Sequence, residues 1–298
     1  MSSNSPSSIN QPSPSQRESL TQLTTDRELL LQIHWAWNSG ATPAPMLDAA
    51  FEQCIASLKK LGGKPITRTQ CDTQVIGTDS QIWHTASVWS LPSPEALQAL
   101  VDSNAFTSLN SHASSVRALV GIQPKRLTQR ALRFARLMMR LLPAPAANSA
   151  IPSAAISGGV NPTVEQFDAF KGSPQHTTIH MFNLLKFVPE VSINGLTKTS
   201  EKCTSGKSLY GELYAPVACQ CIFRLGGRIV ALGRYKFTLI GQGGDPSPNL
   251  WDEIAIAEYP GRSAFLRMLS NDLYQKAVVH REAALDRTEL WATTPLSN

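Results

Sequence analysis

Three consecutive residues near the end of the chain, His280, Arg281 and Glu282, form its sharpest concentration of catalytic side-chain types. A neutral imidazole accepts a proton near pH 7, and a neighbouring guanidinium holds an anionic or enolate oxygen. The same three residues also suit the last turn of a helix, where His and Arg favour the dipole and pair with carboxylates. Asn183 stands inside the apolar run IHMFNLLKF (179–187). Its amide must find partners there, either a ligand carbonyl or neighbouring backbone. His180 lies three residues earlier, hence on the opposite face of that strand. It is a candidate haem ligand, although a lone histidine is more often structural. Tyr210 and Tyr214 are one helical turn apart and share a face, which lines a pocket or fills a core. Trp251 reads as a binding platform or as core matching Trp83. Asp252 and Glu258 share a strand face but are too far apart to act as a carboxylate pair, so surface ion pairing is their expected role. In an enzyme, His280 would be the acid/base, Arg281 the anion clamp and Asn183 the positioning group.

Other chemistries find no footing. The five cysteines, Cys54, Cys71, Cys203, Cys219 and Cys221, lack a metal-type framework and read as free thiols. GQGGD (241–245) lies between two expected strands, whereas a phosphate-binding loop needs a helix N-terminus after it. No zinc spacing, serine elbow or Walker pattern occurs. The expected cofactor is therefore none, with haem the one alternative.

Those side chains need a scaffold, and 298 residues with 42% hydrophobic content leave room for about two domains. The net charge of +5 is uneven: Lys125, Arg126, Arg130, Arg133, Arg136 and Arg140 fall within sixteen acid-free residues. The rest of the chain then sums to 5 − 6, or −1, which argues against nucleic acid as a partner. The five arginines repeat every three or four residues, giving one helical stripe. That stripe is a solvated face, or it meets an anionic membrane surface or an acidic partner. No apolar run reaches about eighteen residues, and the N-terminus has neither a basic start nor an apolar stretch. The expected location is cytoplasmic.

Residues 1–26, rich in Ser, Pro, Gln and Asn, are expected to be a disordered tail. From 27 to 124 the pattern runs strand (LLLQIHWAW), helix (46–60, stopped by LGG), strands 64–76 and 82–91, helix to about 109, and a strand near 118–122. This β-α-β-β-α-β order is that of a ferredoxin-like domain. Residues 125–165 combine the basic helix with a Pro/Ala/Ser-rich linker. The order then recurs in 166–298. LGG at 61–63 matches LGG at 225–227, an offset of 164, and after a longer hairpin turn the offset becomes 168. At 168, Trp83 meets Trp251, Pro92 meets Pro260, Phe106 meets Tyr274 and His112 meets His280. The fold class is α+β, two tandem ferredoxin-like domains closing on each other.

The second half carries NLLKF (183–187), Tyr210 and Tyr214 before GG, WDE (251–253), YPGRSAF (259–265) and LYQKAVVHREAAL (273–285), led in by GVNPTVEQFDAF. In these it resembles domain-of-unknown-function family 1330, of the dimeric α+β barrel superfamily. The resemblance covers about 160–295 closely, and 28–124 only through the repeat. It implies an intramolecular dimeric α/β barrel, a monomer built as a pseudo-dimer or else a homodimer, and a small organic ligand. The superfamily includes cofactor-independent monooxygenases, haem-using peroxidases, lactone isomerases and plain ligand binders, so enzyme and binder both stay open. Aligned at 168, Arg281 falls on Ala113, Glu282 on Ser114 and Asp252 on His84; at 164, Tyr210 falls on Met46 and Tyr214 on Ala50. The first copy is a scaffold and the second holds any site.

Overall fold

A computed structural model describes residues 10–38, 44–147, 149–191, 203–241 and 244–296. The first half is strand β1 (Leu29–Trp37), helix α2 (Ala44–Lys60), strands β2 (Lys64–Ile76) and β3 (Thr85–Leu91), helices α3 (Pro94–Val101) and α4 (Asn104–Ser111), and strand β4 (Ala113–Ile122). The second half repeats it. Strand β5 (Ile179–Phe187) is followed by α7 (Gly206–Leu209), a π-helical turn (Tyr210–Tyr214) and α8 (Ala215–Arg224). Then come β6 (Arg228–Ile240), β7 (Glu253–Tyr259), α9 (Arg262–Leu269), α10 (Asp272–Ala284) and β8 (Leu285–Pro295). Both LGG sequences end their helices as expected, with Gly62 at φ 75° and Gly226 at φ 92°, the left-handed region that glycine enters freely.

The eight strands form one closed antiparallel barrel in the order β1-β3-β2-β8-β5-β7-β6-β4. Each half contributes four neighbouring strands in ferredoxin-like order, and the second strand of one half pairs with the fourth of the other, β2 with β8 and β6 with β4. Closure leaves no strand edge exposed. Strand alternation sorts side chains into three cores. Inside the barrel lie Leu30, Phe182, Leu184, Trp83, Trp251 and Trp291. Outside it, the helices of the first half cover Leu29, Leu31, Ile33 and Trp35. Those of the second half cover Ile179 and Met181.

Three sequence expectations need correcting. The tail is not featureless over its described part: Pro14–Thr21 is a helix, α1, capped by Ser13 in a reciprocal capping box with Gln16. Leu20 is 1% exposed in the first-half core. Asn10 donates to the Ala113 and Asn110 carbonyls, Ser13 to the Gly244 carbonyl and Gln16 to that of Asp245, so backbone contacts supply what composition lacked. Residues 1–9 lie outside the described residues. The 125–165 region holds α5 (Arg126–Met139), as expected, and a short 3-10 turn (Ser153–Ile156), but the second half then opens on a helix the sequence did not mark, α6 (Val164–Gly172), before β5.

The third correction concerns register. Ile33 pairs with Ala118 and Asn183 with Leu290, so the last strands match at an offset of 172 rather than 168. Helix α4 stops before His112, but α10 runs one further turn, to Ala284. Arg281 and Glu282 therefore have no counterpart in Ala113 and Ser114, which already begin β4. They belong to an added helical turn.

Candidate functional site

The strand registers set the two halves side by side. Leu29 pairs with Leu91, and Ile179 with Tyr259. Trp89, paired with Leu31, is thus equivalent to Ala257, paired with Met181. In the first half the space between sheet and helices is packed with rings: Trp89 lies 6.1 Å from both Trp35 and Phe51 and 6.4 Å from Phe106. The helix offset of 164 puts Ala215 where Phe51 stands, and Leu185 takes the place of Trp35. Large aromatic volume is replaced by small side chains, and a cavity of about 310 Å³ remains in the second half. Space that size in a close-packed interior needs such an origin, because protein cores otherwise leave few voids.

The cavity lies between the outer face of β5, β6 and β7 and the helices α8, α9 and α10. Ile76 from β2, Leu290 from β8, Thr128 and Leu132 from α5, and residues of the 152–167 segment complete its wall. Most of the lining is apolar. Its polar members include Asn183, Glu253, Arg281, Asn161, Gln275 and Thr128, with four tyrosines, Tyr210, Tyr214, Tyr259 and Tyr274. Tyr210 and Tyr214 come from the π-helical turn and sit with ring centroids 4.8 Å apart. The Tyr214 hydroxyl lies 3.0 Å from that of Tyr274. Burial pushes the hydroxyl pKa of all four tyrosines up, so they stay neutral hydrogen-bonding groups.

Asn183 donates its amide hydrogens to the carbonyls of Met181 and Ala255, at 3.1 and 3.2 Å. That fixes its orientation, and among the described residues nothing donates to its oxygen. Arg281 donates to the carbonyl of Val160 (2.9 Å) and to Asn161 Oδ1 (3.2 Å), and Asn161 donates on to Glu282 (2.8 Å). The added turn of α10 is thereby tied to the GVNP segment, and Arg281 is held at the cavity wall. Glu253 faces the same space. Burial raises its carboxyl pKa, with Lys207 pulling the other way, so it keeps its proton to higher pH than an ordinary glutamate.

Other expected site residues lie elsewhere. His280 does not line the cavity. It precedes Arg281 by one residue, about 100° around the helix, is buried, has no partner for Nδ1, and burial lowers its pKa. Glu282 serves only through Asn161. Trp251 belongs to the barrel interior, with the Arg287 guanidinium 5.0 Å over its ring. His180 faces an open cleft at the barrel end, with Nδ1 3.1 Å from the Thr67 hydroxyl and Nε2 3.0 Å from Glu258. Glu258 also takes two hydrogen bonds from Arg228. Both ring nitrogens of His180 are engaged by protein, the opposite of what an axial haem ligand offers. No histidine lines the cavity, and burial pushes the thiol of Cys219 up to about 11. To a haem iron, which takes an imidazole, thiolate, thioether or tyrosinate, the cavity offers only the thioethers of Met181 and Met268, with no histidine and with its thiol and phenols kept protonated, a poor fit for that group. Among the described residues no cluster of three or more His, Cys, Asp or Glu could hold a metal ion.

Glu253 was missed in the sequence because its spacing does not set it apart from the nearby acids Asp252 and Glu258, whose expected role is surface ion pairing. Its signal was the replacement by Thr85 at the equivalent position. Asp252 proves structural, accepting from the Phe187 amide (2.8 Å) and from Lys186.

No family model and no curated protein matches the chain. Among solved structures it is similar to the RPA0582 protein of unknown function from Rhodopseudomonas palustris, at 34% identity over 48% of this chain and 100% of that one, with a TM-score of 0.38. The methylated form of the same protein matches at 34% identity over 47% of this chain and 97% of that one, also with a TM-score of 0.38. A mutant chlorite dismutase from Candidatus Nitrospira defluvii is similar at 11% identity over 94% of this chain and 95% of that one, with a TM-score of 0.46. With 34% identity over the full length of the Rhodopseudomonas palustris protein, the chain belongs to that protein's family.

Proposed function

We propose that the chain binds a small, mostly apolar organic molecule in the second-half cavity, and that this half is a member of domain-of-unknown-function family 1330 fused to a degenerate first copy. The observation that carries the reading is the exchange of Trp89 and Phe51 for Ala257 and Ala215, which keeps one half packed and opens the other. Mostly apolar lining with a few oriented polar groups is the usual make-up of a small-molecule site. Asn183 and Arg281 are held by backbone carbonyls and fix the polar end of the ligand. A protonated Glu253 would donate to a ligand carbonyl, and as carboxylate it would take a proton from a carbon next to one. That second role is the catalytic alternative, and it moves the acid/base assignment from His280 to Glu253.

Mass spectrometry of small molecules that co-purify with the chain identifies the ligand, and calorimetric titration then tests the site. Ala257→Trp should weaken binding by at least about tenfold, or 1.4 kcal/mol. Undiminished binding to that variant would sink the proposal. Turnover of the ligand by the native chain and none by Glu253→Gln would decide for the catalytic alternative.

A further inference from the structure

Helix α5 presents to solvent a face that no described part of the chain covers. Leu127, Phe134, Leu137 and Leu141 are 77%, 65%, 63% and 76% exposed. At about 100° per residue they lie on one side of the helix with Met138, while Leu132, Ala135 and Met139 on the other side pack against the second-half core. Arg126, Arg130, Arg133 and Arg140 border the apolar side, and the run from Lys125 to Arg140 contains no acid. Among the described residues only Arg126 of these four has a carboxylate partner, Glu28 at 3.0 Å. Arg136 turns inward to donate to the Gly227 carbonyl, and with Arg133 and Arg228 it lines a cleft of about 380 Å³ on the helix flank.

Contiguous exposed apolar side chains mark an interaction surface. The occupant of this one must offer hydrocarbon along a 14-residue helix and negative charge along the flank that carries the arginines. A lipid bilayer with acidic headgroups supplies both in the right layers, acyl chains below and phosphates level with the guanidinium groups. We propose that α5 seats the protein on an anionic membrane surface, lying in its plane with Phe134, Leu137 and Leu141 in the acyl boundary. Arg130, Arg133 and Arg140 then meet the phosphates. The inference is independent of what the cavity holds.

The test is co-sedimentation of the full chain with vesicles of phosphatidylcholine alone or mixed with phosphatidylglycerol. The acidic vesicles should carry the protein down, at least about tenfold better than the neutral ones, and raised salt should release it. Arg130→Gln, Arg133→Gln and Arg140→Gln together, and separately Phe134→Ser, Leu137→Ser and Leu141→Ser together, should each weaken that partition by at least about tenfold. Melting temperature should hold in both, because the exchanged side chains are exposed. No binding to acidic vesicles, equal binding to neutral ones, or binding that either variant leaves intact overturns the proposal. So does a lipid-free dimer that the Ser variant dissociates, since a second copy would then cover the face.

Discussion

Single side chains decide where this barrel is hollow. Trp89 is fully buried among rings, and Trp89→Ala should cost about 3–5 kcal/mol in urea unfolding, as for other large core truncations. The change at the equivalent Ala257 enters open space, so Ala257→Trp should leave stability within about 1 kcal/mol while it blocks the ligand. A second residue-scale expectation concerns Glu258. Burial works against its charge, but hydrogen bonds from His180 and Arg228 win and hold its pKa at about 2. In the unfolded chain it takes up a proton near 4.5, so its contribution is fully present above that pH and is lost as pH falls toward 2. After solvent screening the contribution is about 1–2 kcal/mol. Glu258→Gln should flatten that part of the acid-unfolding curve, and an unchanged curve would show that the ion pair is inert.

At the scale of elements, two short additions matter. Helix α1 is marginal by composition, yet it docks Leu20 in the first-half core and pairs Arg17 with Asp102. Deleting residues 1–22 should lower the melting temperature by several degrees, since losing a buried leucine alone costs about 2–4 kcal/mol. A melting curve unchanged by the deletion would mean that the helix only rests on the surface. The extra turn of α10 separates His280 from Arg281 in role. Arg281→Ala should weaken ligand binding about tenfold or more. His280→Ala should cost stability and leave affinity unchanged, because the imidazole is buried away from the cavity. Equal losses of affinity in titration would return His280 to the site.

For the whole molecule, closure of one barrel from two halves sets the behaviour. The second half alone would expose β6 and β8, each able to pair with the other in a second copy. Residues 160–298 expressed separately should therefore sediment as a dimer, and a stable monomer would contradict the topology. The barrel interior carries its own pH response. His34 lies between Trp83 and Phe182 with both ring nitrogens unpartnered, and burial first, then Arg117, holds its pKa well below 6.5. The unfolded chain takes up that proton below about 6.5 and the folded chain does not, so stability falls as pH drops through this region. His34→Leu, matching Leu184 of the other half, should remove that slope. Urea midpoints at about pH 7.5 and about pH 5.5 measure it.

The α+β class, the strand-helix order of both halves and the basic helix were legible in the sequence because they rest on local periodicity. Strands β1, β2 and β5 fall on the residues that apolar runs and turn signals marked. The opposite facing of His180 and Asn183 follows from the same strand geometry. The order of chain 14–21 was not legible, because its helix is held by contacts with residues some 85 to 230 positions away, Asp102 and Gly244 among them. Nor was the shift from 168 to 172, which only strand pairing reveals. The cavity itself was beyond sequence reading for the same reason. An alanine at 257 looks ordinary until the register sets it against Trp89, and volume is a property of neighbours that folding brings together.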